Sequence, residues 1–142
     1  MGKIIAVCTS EKKGTQKKNV GRATLIENWG IENDAHAGNW HRQVSLLSAD
    51  KIDAFKAKGA DVKDGDFGEN IIVEGIDFAT LPIGTRFGCH DIILEMTQIG
   101  KECHHGCQIF QKMGECIMPR EGVFTKVLQG GLLKVGDELK VL

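Results

Sequence analysis

No stretch of this sequence approaches the roughly 20 consecutive apolar residues that a bilayer-spanning helix needs. Its opening, MGKIIAVCTS, has no basic segment leading into a long apolar run. The expectation is a cytoplasmic protein that does not engage a membrane. Proline is nearly missing, with 2 residues, whereas glycine reaches 18 without a collagen-like period. That imbalance favours tight turns over long helices. An excess of one charge is missing too: 18 Lys and Arg face 19 Asp and Glu, for a formal net charge of −1. No global field draws in nucleic acid or an anionic surface, so any anion must be recognised locally. Repeats, linkers and low-complexity tracts are absent, and 142 residues suit one domain spanning 1–142.

What is present begins with thiols. The 5 cysteines are an odd number that a secreted disulfide scaffold could not fully pair. Reduced thiols available for metal or sulfur chemistry are expected. Cys8 and Cys89, each flanked by strand-like sequence, read as small core hydrophobes.

Along the chain, Gly2 to Thr9 reads as a strand that breaks into the exposed basic turn SEKKGTQKKNVG. Ala23 to Trp29 can form a second strand, followed by the polar loop NDAHAGNWH. RQVSLLS is β-prone, and Ser48 precedes a short helix from about Ala49 to Lys58, with Asp50 in its first turn and Ile52 and Phe55 at i,i+3 spacing. A strand follows at Asn70 to Val73, and LPIGTRFGCHDIILEMTQIG reads as a turn and one long or two short strands. Between Gly106 and Gln129 the spacing of Ile109, Phe110 and Met113, then of Val123, Phe124, Val127 and Leu128, predicts two short helices split by Pro119. LLKVGDELKVL closes as a predicted hairpin turning at Gly136-Asp137. Several strands at short intervals point to a mainly β sandwich or barrel.

The densest chemical cluster is KECHHGCQIFQKMGEC, which holds Cys103, His104, His105, Cys107 and Cys116. Thiolate is a strong nucleophile and a ligand for soft or high-valent metals, and a cation beside it, such as Lys101 or a protonated histidine, lowers its pKa. Cys103 is the candidate catalytic residue, and Cys103 with Cys107 the candidate metal ligands, His104, His105 and Cys116 being alternatives. Zinc is the competing occupant, because Cys103-x3-Cys107 with either histidine offers tetrahedral N/S ligation, although a second ligand pair is lacking. Lys13, Gly14 and Thr15 lie in a loop whose backbone N–H groups and lysines suit a phosphate. His36, His41, Arg42 and Gln43 add donors, and Arg42 offers a planar bidentate grip on phosphate or a pterin edge. Asn70, in DFGEN beside two glycines, suits a backbone kink near a ligand, or equally a structural turn.

Taken in order, GIENDAHAGNWHRQVSLLS, GDFGENIIVEGIDF, LPIGTRFGCHDIILEMTQIGKECH and GGLLKVGDELKV resemble successive blocks of the MOSC family, over nearly the whole chain. The resemblance implies a closed or nearly closed β-barrel, similar to the barrel domain of pyruvate kinase, with a few short peripheral helices. It implies handling of the molybdenum cofactor, a molybdopterin carrying Mo or W, either in cofactor maturation and sulfur delivery or in molybdenum-dependent reduction of N-hydroxylated compounds. The family's essential cysteine maps to Cys103, with Cys107 as the alternative. The lysine loop, His36 and Arg42 map onto loops that face the cofactor, and Arg120 is a further cation for its phosphate. No pyridoxal-phosphate domain accompanies these blocks, so sulfur is expected to come from a donor protein. A molybdoenzyme or a cofactor-biosynthesis protein would be the other partner. Transfer, turnover with a redox partner, and a structural zinc module all remain open at this point.

Overall fold

A computed structural model describes residues 2–12, 16–100, 117 and 121–142. Eleven strands are present among them: β1 (Gly2–Thr9), β2 (Lys18–Asn19), β3 (Arg22–Ile26), β4 (Gly30–Ile31), β5 (Val44–Ser48), β6 (Ile71–Glu74), β7 (Arg86–Cys89), β8 (Ile92–Ile99), β9 (Val123–Gln129), β10 (Gly131–Lys134) and β11 (Glu138–Val141). Seven of them pair in the order β11-β7-β8-β9-β5-β6-β1, and β1 pairs back to β11. The sheet is therefore a closed, mixed barrel with no free edge in its ring, as the family resemblance implied. The smaller sheet β10-β3-β4 lies beside it.

Among the described residues the only parallel pair is β5 with β6. Parallel neighbours need a crossover, and here it is α1 (Ala49–Ala57), the one α-helix among the described residues, which follows β5 directly. Its buried side chains Ala49, Ile52 and Phe55 pack on Ala6, Cys8, Leu47, Ile72 and Phe124. Burial of Phe55 alone stabilises by about 2–3 kcal/mol. The helix ends where Gly59 takes φ +105°, and the Gly59 N–H caps the Lys56 carbonyl at 2.9 Å. Asp50 in the first turn accepts a hydrogen bond from the Gly75 backbone N–H at 3.2 Å, fastening the helix to the end of β6.

Strand side chains divide between this outer layer and the barrel interior. Leu46 points inward and Leu47 outward, as do Ile71 and Ile72. In β1 the alternation slips: Ile4 and Val7, three residues apart, both belong to the interior. A bulge between Ile4 and Ala6 supplies the extra residue, since one inserted position swaps the two faces of a strand.

Two expectations are corrected. Val123 to Gln129 is a strand, not a helix. Val123 and Val127 face the barrel interior while Phe124 lies under α1, so burial on both faces imitates helical spacing in a β-branched segment. The other predicted helix of that region lies outside the described residues. LLKV and ELKV do not form a hairpin with each other: β10 pairs with β3, and β11 with β1 and β7. The turn at Gly136 is nevertheless real, with φ +97°, and is held to β1 by Ile4 N–H to Asp137 O and Gly136 N–H to Ile4 O, both 2.9 Å. The expected Ala23–Trp29 strand is likewise shorter, bending after Ile26 into a turn closed by Trp29 N–H on Ile26 O.

The exposed basic turn also needs revision, because Lys17 is only 2 % exposed. Its backbone lies against Gly65, where φ is +91° and an added Cβ would fall on the Lys17 carbonyl. Gly65→Ala is expected to destabilise by roughly 2–3 kcal/mol through left-handed strain plus that clash. A change below 1 kcal/mol in urea unfolding would show that the two loops separate without cost.

Candidate functional site

Of the residues singled out from the sequence, His36, His41, Arg42, Gln43 and Asn70 are described. Lys13, Gly14, Thr15, Cys103, His104, His105, Cys107, Cys116 and Arg120 lie outside the described residues. The described ones separate into a buried polar web and an accessible cluster.

The web centres on Asp34. One carboxylate oxygen, Oδ1, accepts from Lys17 Nζ at 2.7 Å, in an ion pair whose side chains are fully buried, and from the Ser10 N–H at 3.1 Å. The other, Oδ2, accepts from the His36 N–H and from Asn70 Nδ2, both at 3.2 Å. Asn70 also donates to the Cys8 carbonyl at 3.0 Å and accepts from the Ser45 N–H at 2.9 Å. Gln43, fully buried, accepts from the Val127 N–H at 2.9 Å and donates to Asn28 at 3.3 Å. The polar atoms of Asn70 and Gln43 are thus spent on the scaffold, Asn70 tying β1 to Asp34 and β5 and Gln43 seating β9.

Glu69 anchors the 63–70 segment, accepting from the Gly65 N–H at 3.1 Å and the Phe67 N–H at 3.0 Å. It is 0 % exposed. Burial pushes its carboxyl up from 4.5 to about 7, against the two backbone donors that favour the ionised form. As pH rises through that window the unfolded chain gives up a proton that the folded chain keeps, so stability falls. The expected loss is on the order of 3 kcal/mol, and Glu69→Gln should flatten it. Urea unfolding at several pH values reads this directly, and a wild-type profile as flat as the variant's would contradict it.

The accessible cluster sits where β8 ends. Gln98 Oε1 is shared by Arg42 Nε at 3.2 Å and His41 Nε2 at 2.9 Å, while Gln98 Nε2 donates to the Gly100 carbonyl at 2.7 Å. Thr97 Oγ1 donates to the His41 carbonyl, pinning the loop to the strand. The Arg42 guanidinium carbon lies 5.2 Å from the centre of the Phe124 ring, within the range of a cation–π contact. No described carboxylate is paired with Arg42. Gly100 N–H donates to Gly122 O at 2.6 Å, so the chain leaves β8 and re-enters β9 at this same end of the barrel. The arrangement is a half-buried planar cation, held on an aromatic face and steered by an amide, beside an exposed imidazole. Such a group suits a planar, anionic ligand.

A family model described as the MOSC domain matches residues 33–140. The chain belongs to the MOSC domain family. The match spans the 34–42 loop, the Gln98 cluster and most of the barrel, including the segment carrying Cys103. No curated protein matches the chain. Among solved structures, the YUAD protein from Bacillus subtilis superposes with a TM-score of 0.82 at 18% identity, covering 99% of this chain and 96% of that one. YiiM from Geobacillus stearothermophilus gives 0.74 at 16% identity, over 100% of this chain and 75% of that one. YiiM from Escherichia coli gives 0.68 at 17% identity, over 100% and 70%. At such identities these likenesses establish the fold. No described helix of this MOSC domain is long and apolar enough to cross a membrane.

Gln98, Thr97 and Phe124 were not singled out from the sequence. Gln98 and Thr97 belong to the TQIGKEC block itself, five and six positions before Cys103, and that adjacency was the available signal. Nothing local marks Phe124 as the platform for Arg42, because β9 reaches the loop only through the barrel's pairing.

Proposed function

We propose that this MOSC domain binds the molybdenum (or tungsten) pterin cofactor at the Arg42 end of the barrel and handles the cofactor or its sulfur through Cys103, in cofactor maturation or delivery. The observation that carries this reading is the convergence of Arg42 and His41 on Gln98, beside the point where the Cys103 segment departs from β8. Cys103 follows Gly100 by three positions in the sequence.

The described residues fit the cofactor's chemistry. Arg42 directs one nitrogen to Gln98 and lies over Phe124, which restricts its rotation while its remaining donors face no described acid. It would grip the phosphate or an edge of the pterin, with His41 as a second donor. Lys17 is unavailable to that phosphate, since Asp34 holds it in the scaffold. Any lysine contribution therefore comes from elsewhere in the basic loop. Bound cofactor would supply a high-valent metal, and the thiolate of Cys103 would serve as its ligand, or would take the outer sulfur of a donor protein's persulfide, the donor's thiolate leaving.

Arg42→Ala is expected to weaken cofactor binding by roughly 10- to 150-fold, the equivalent of one charge-assisted contact of ~1.5–3 kcal/mol. Lys140→Ala, at an exposed position on β11, should change it less than twofold. Titration of cofactor released from a molybdoenzyme, followed by its pterin fluorescence, measures both. Equal affinities for the two variants would remove Arg42 from the site.

A further inference from the structure

At the opposite end of β8 the barrel holds a second group of potential ligands. The connection from β7 to β8 is the two-residue turn His90-Asp91, and His90 adopts φ +53°. Glycine or asparagine ordinarily takes such a position, because a side chain there is strained. The turn sets the His90 ring against the β10–β11 corner, with Nε2 3.2 Å from Asp137 Oδ1. Cys89, one residue earlier, completes the group: its sulfur, a ring nitrogen of His90 and a carboxylate oxygen of Asp137 all lie within 4.8 Å of one another.

We propose that Cys89, His90 and Asp137 form a binding site for one zinc-class divalent ion, with a fourth position open to an exogenous ligand. The three donors are the thiolate, imidazole and carboxylate that zinc prefers. In a tetrahedral site with metal–nitrogen and metal–oxygen bonds of about 2.0–2.1 Å, the nitrogen and oxygen stand about 3.3 Å apart. The observed 3.2 Å separation of Nε2 and Oδ1 therefore already matches one edge of the tetrahedron.

The sulfur must close in by about 1 Å from the outer limit of the cluster, to an edge near 3.5 Å. Asp137 is fixed by its other oxygen, which accepts from the Lys134 N–H at 3.0 Å. Burial first, and the neighbouring Asp137 second, push the Cys89 thiol up to about 11, so an entering ion displaces the thiol proton to solvent. Beside the group lies a cavity of about 320 Å³ lined by His90, Asp91, Gly131, Leu132, Lys134 and Asp137. It leaves room for a water or small anion as fourth ligand, and Lys134 among its lining residues favours the anion.

This site is separate from the Arg42 end. The eight residues of β8 between them span roughly 25 Å at strand rise, and no residue is shared.

Cobalt(II) substitution tests it, because thiolate–cobalt ligation has a charge-transfer band and tetrahedral d–d absorption. The chain carrying Cys103→Ser, Cys107→Ser and Cys116→Ser removes the competing thiols. It should bind one cobalt with the sulfur band, and adding His90→Asn, which tolerates the positive φ, should weaken binding at least tenfold. Adding Cys89→Ser should abolish the band. No thiolate band in the triple variant, the same affinity after His90→Asn, or a band that survives Cys89→Ser would overturn the assignment. Should the triple variant not fold, the same His90→Asn change in the natural sequence must lower cobalt stoichiometry by one, and an unchanged stoichiometry would overturn it equally.

Discussion

Asp34→Ala is expected to destabilise the protein by about 3–5 kcal/mol, the usual cost of leaving one member of a buried ion pair without its partner. The substitution strands the Lys17 ammonium in an environment where both side chains are fully buried. It also removes the acceptor for the Ser10 and His36 backbone N–H groups and for Asn70 Nδ2. Lys17→Met should cost less, because Asp34 would keep those three donors. Combining Lys17→Met with Asp34→Asn should recover part of the loss by removing the charge while retaining an acceptor. Urea unfolding of the four proteins measures the series. If Asp34→Ala fell within 1 kcal/mol of wild type, the web would be a set of polar contacts that water replaces freely.

The web also bears on function. Asp34 fixes the beginning of the loop whose other end presents His41 and Arg42, while Thr97 and Gln98 fix that end. Loss of Asp34 should therefore loosen ligand binding as well as the fold, even though its side chain is fully buried.

Local patterns carried the elements whose partners are close in sequence. The helix Ala49–Ala57 was legible from Ile52, Phe55 and Asp50, and of the one long or two short strands expected after LPIGT the structure shows two, β7 and β8. Cys8 and Cys89 are buried as their flanking strands implied, at 0% and 3% exposure, and burial pushes the Cys8 thiol up to about 12. Errors arose where non-local pairing decides. Val123–Gln129 buries both faces, one in the barrel and one beneath α1, so its apolar residues cannot show a period of two. The Gly136-Asp137 turn looks the same whether its flanking strands pair with each other or diverge to β3 on one side and to β1 and β7 on the other.

The candidate site shows the same limit in its polar residues. Arg42, His41, Gln43 and Asn70 are similar in character along the sequence, yet only Arg42 and His41 reach an accessible surface. Gln43 and Asn70 became scaffold because β9, β1 and the 34–42 loop converge on them. Lys17 stood among four lysines of one loop, and only the approach of Asp34 distinguishes it. The barrel was legible only through the order of the family blocks, since strand count and spacing alone left a sandwich equally open.

The role given to Cys103 has the largest functional consequence. As a metal ligand the Cys103 thiolate has no substitute in a methyl group, so Cys103→Ala should lose most of the bound metal, whereas Arg42→Ala only lowers affinity. The decisive measurement is the metal content, by mass spectrometry, of wild type and Cys103→Ala after reconstitution with molybdenum cofactor and removal of the unbound fraction. Near-stoichiometric molybdenum in wild type, and less than a tenth of that in the variant, is the predicted result. Equal molybdenum in both proteins would contradict it.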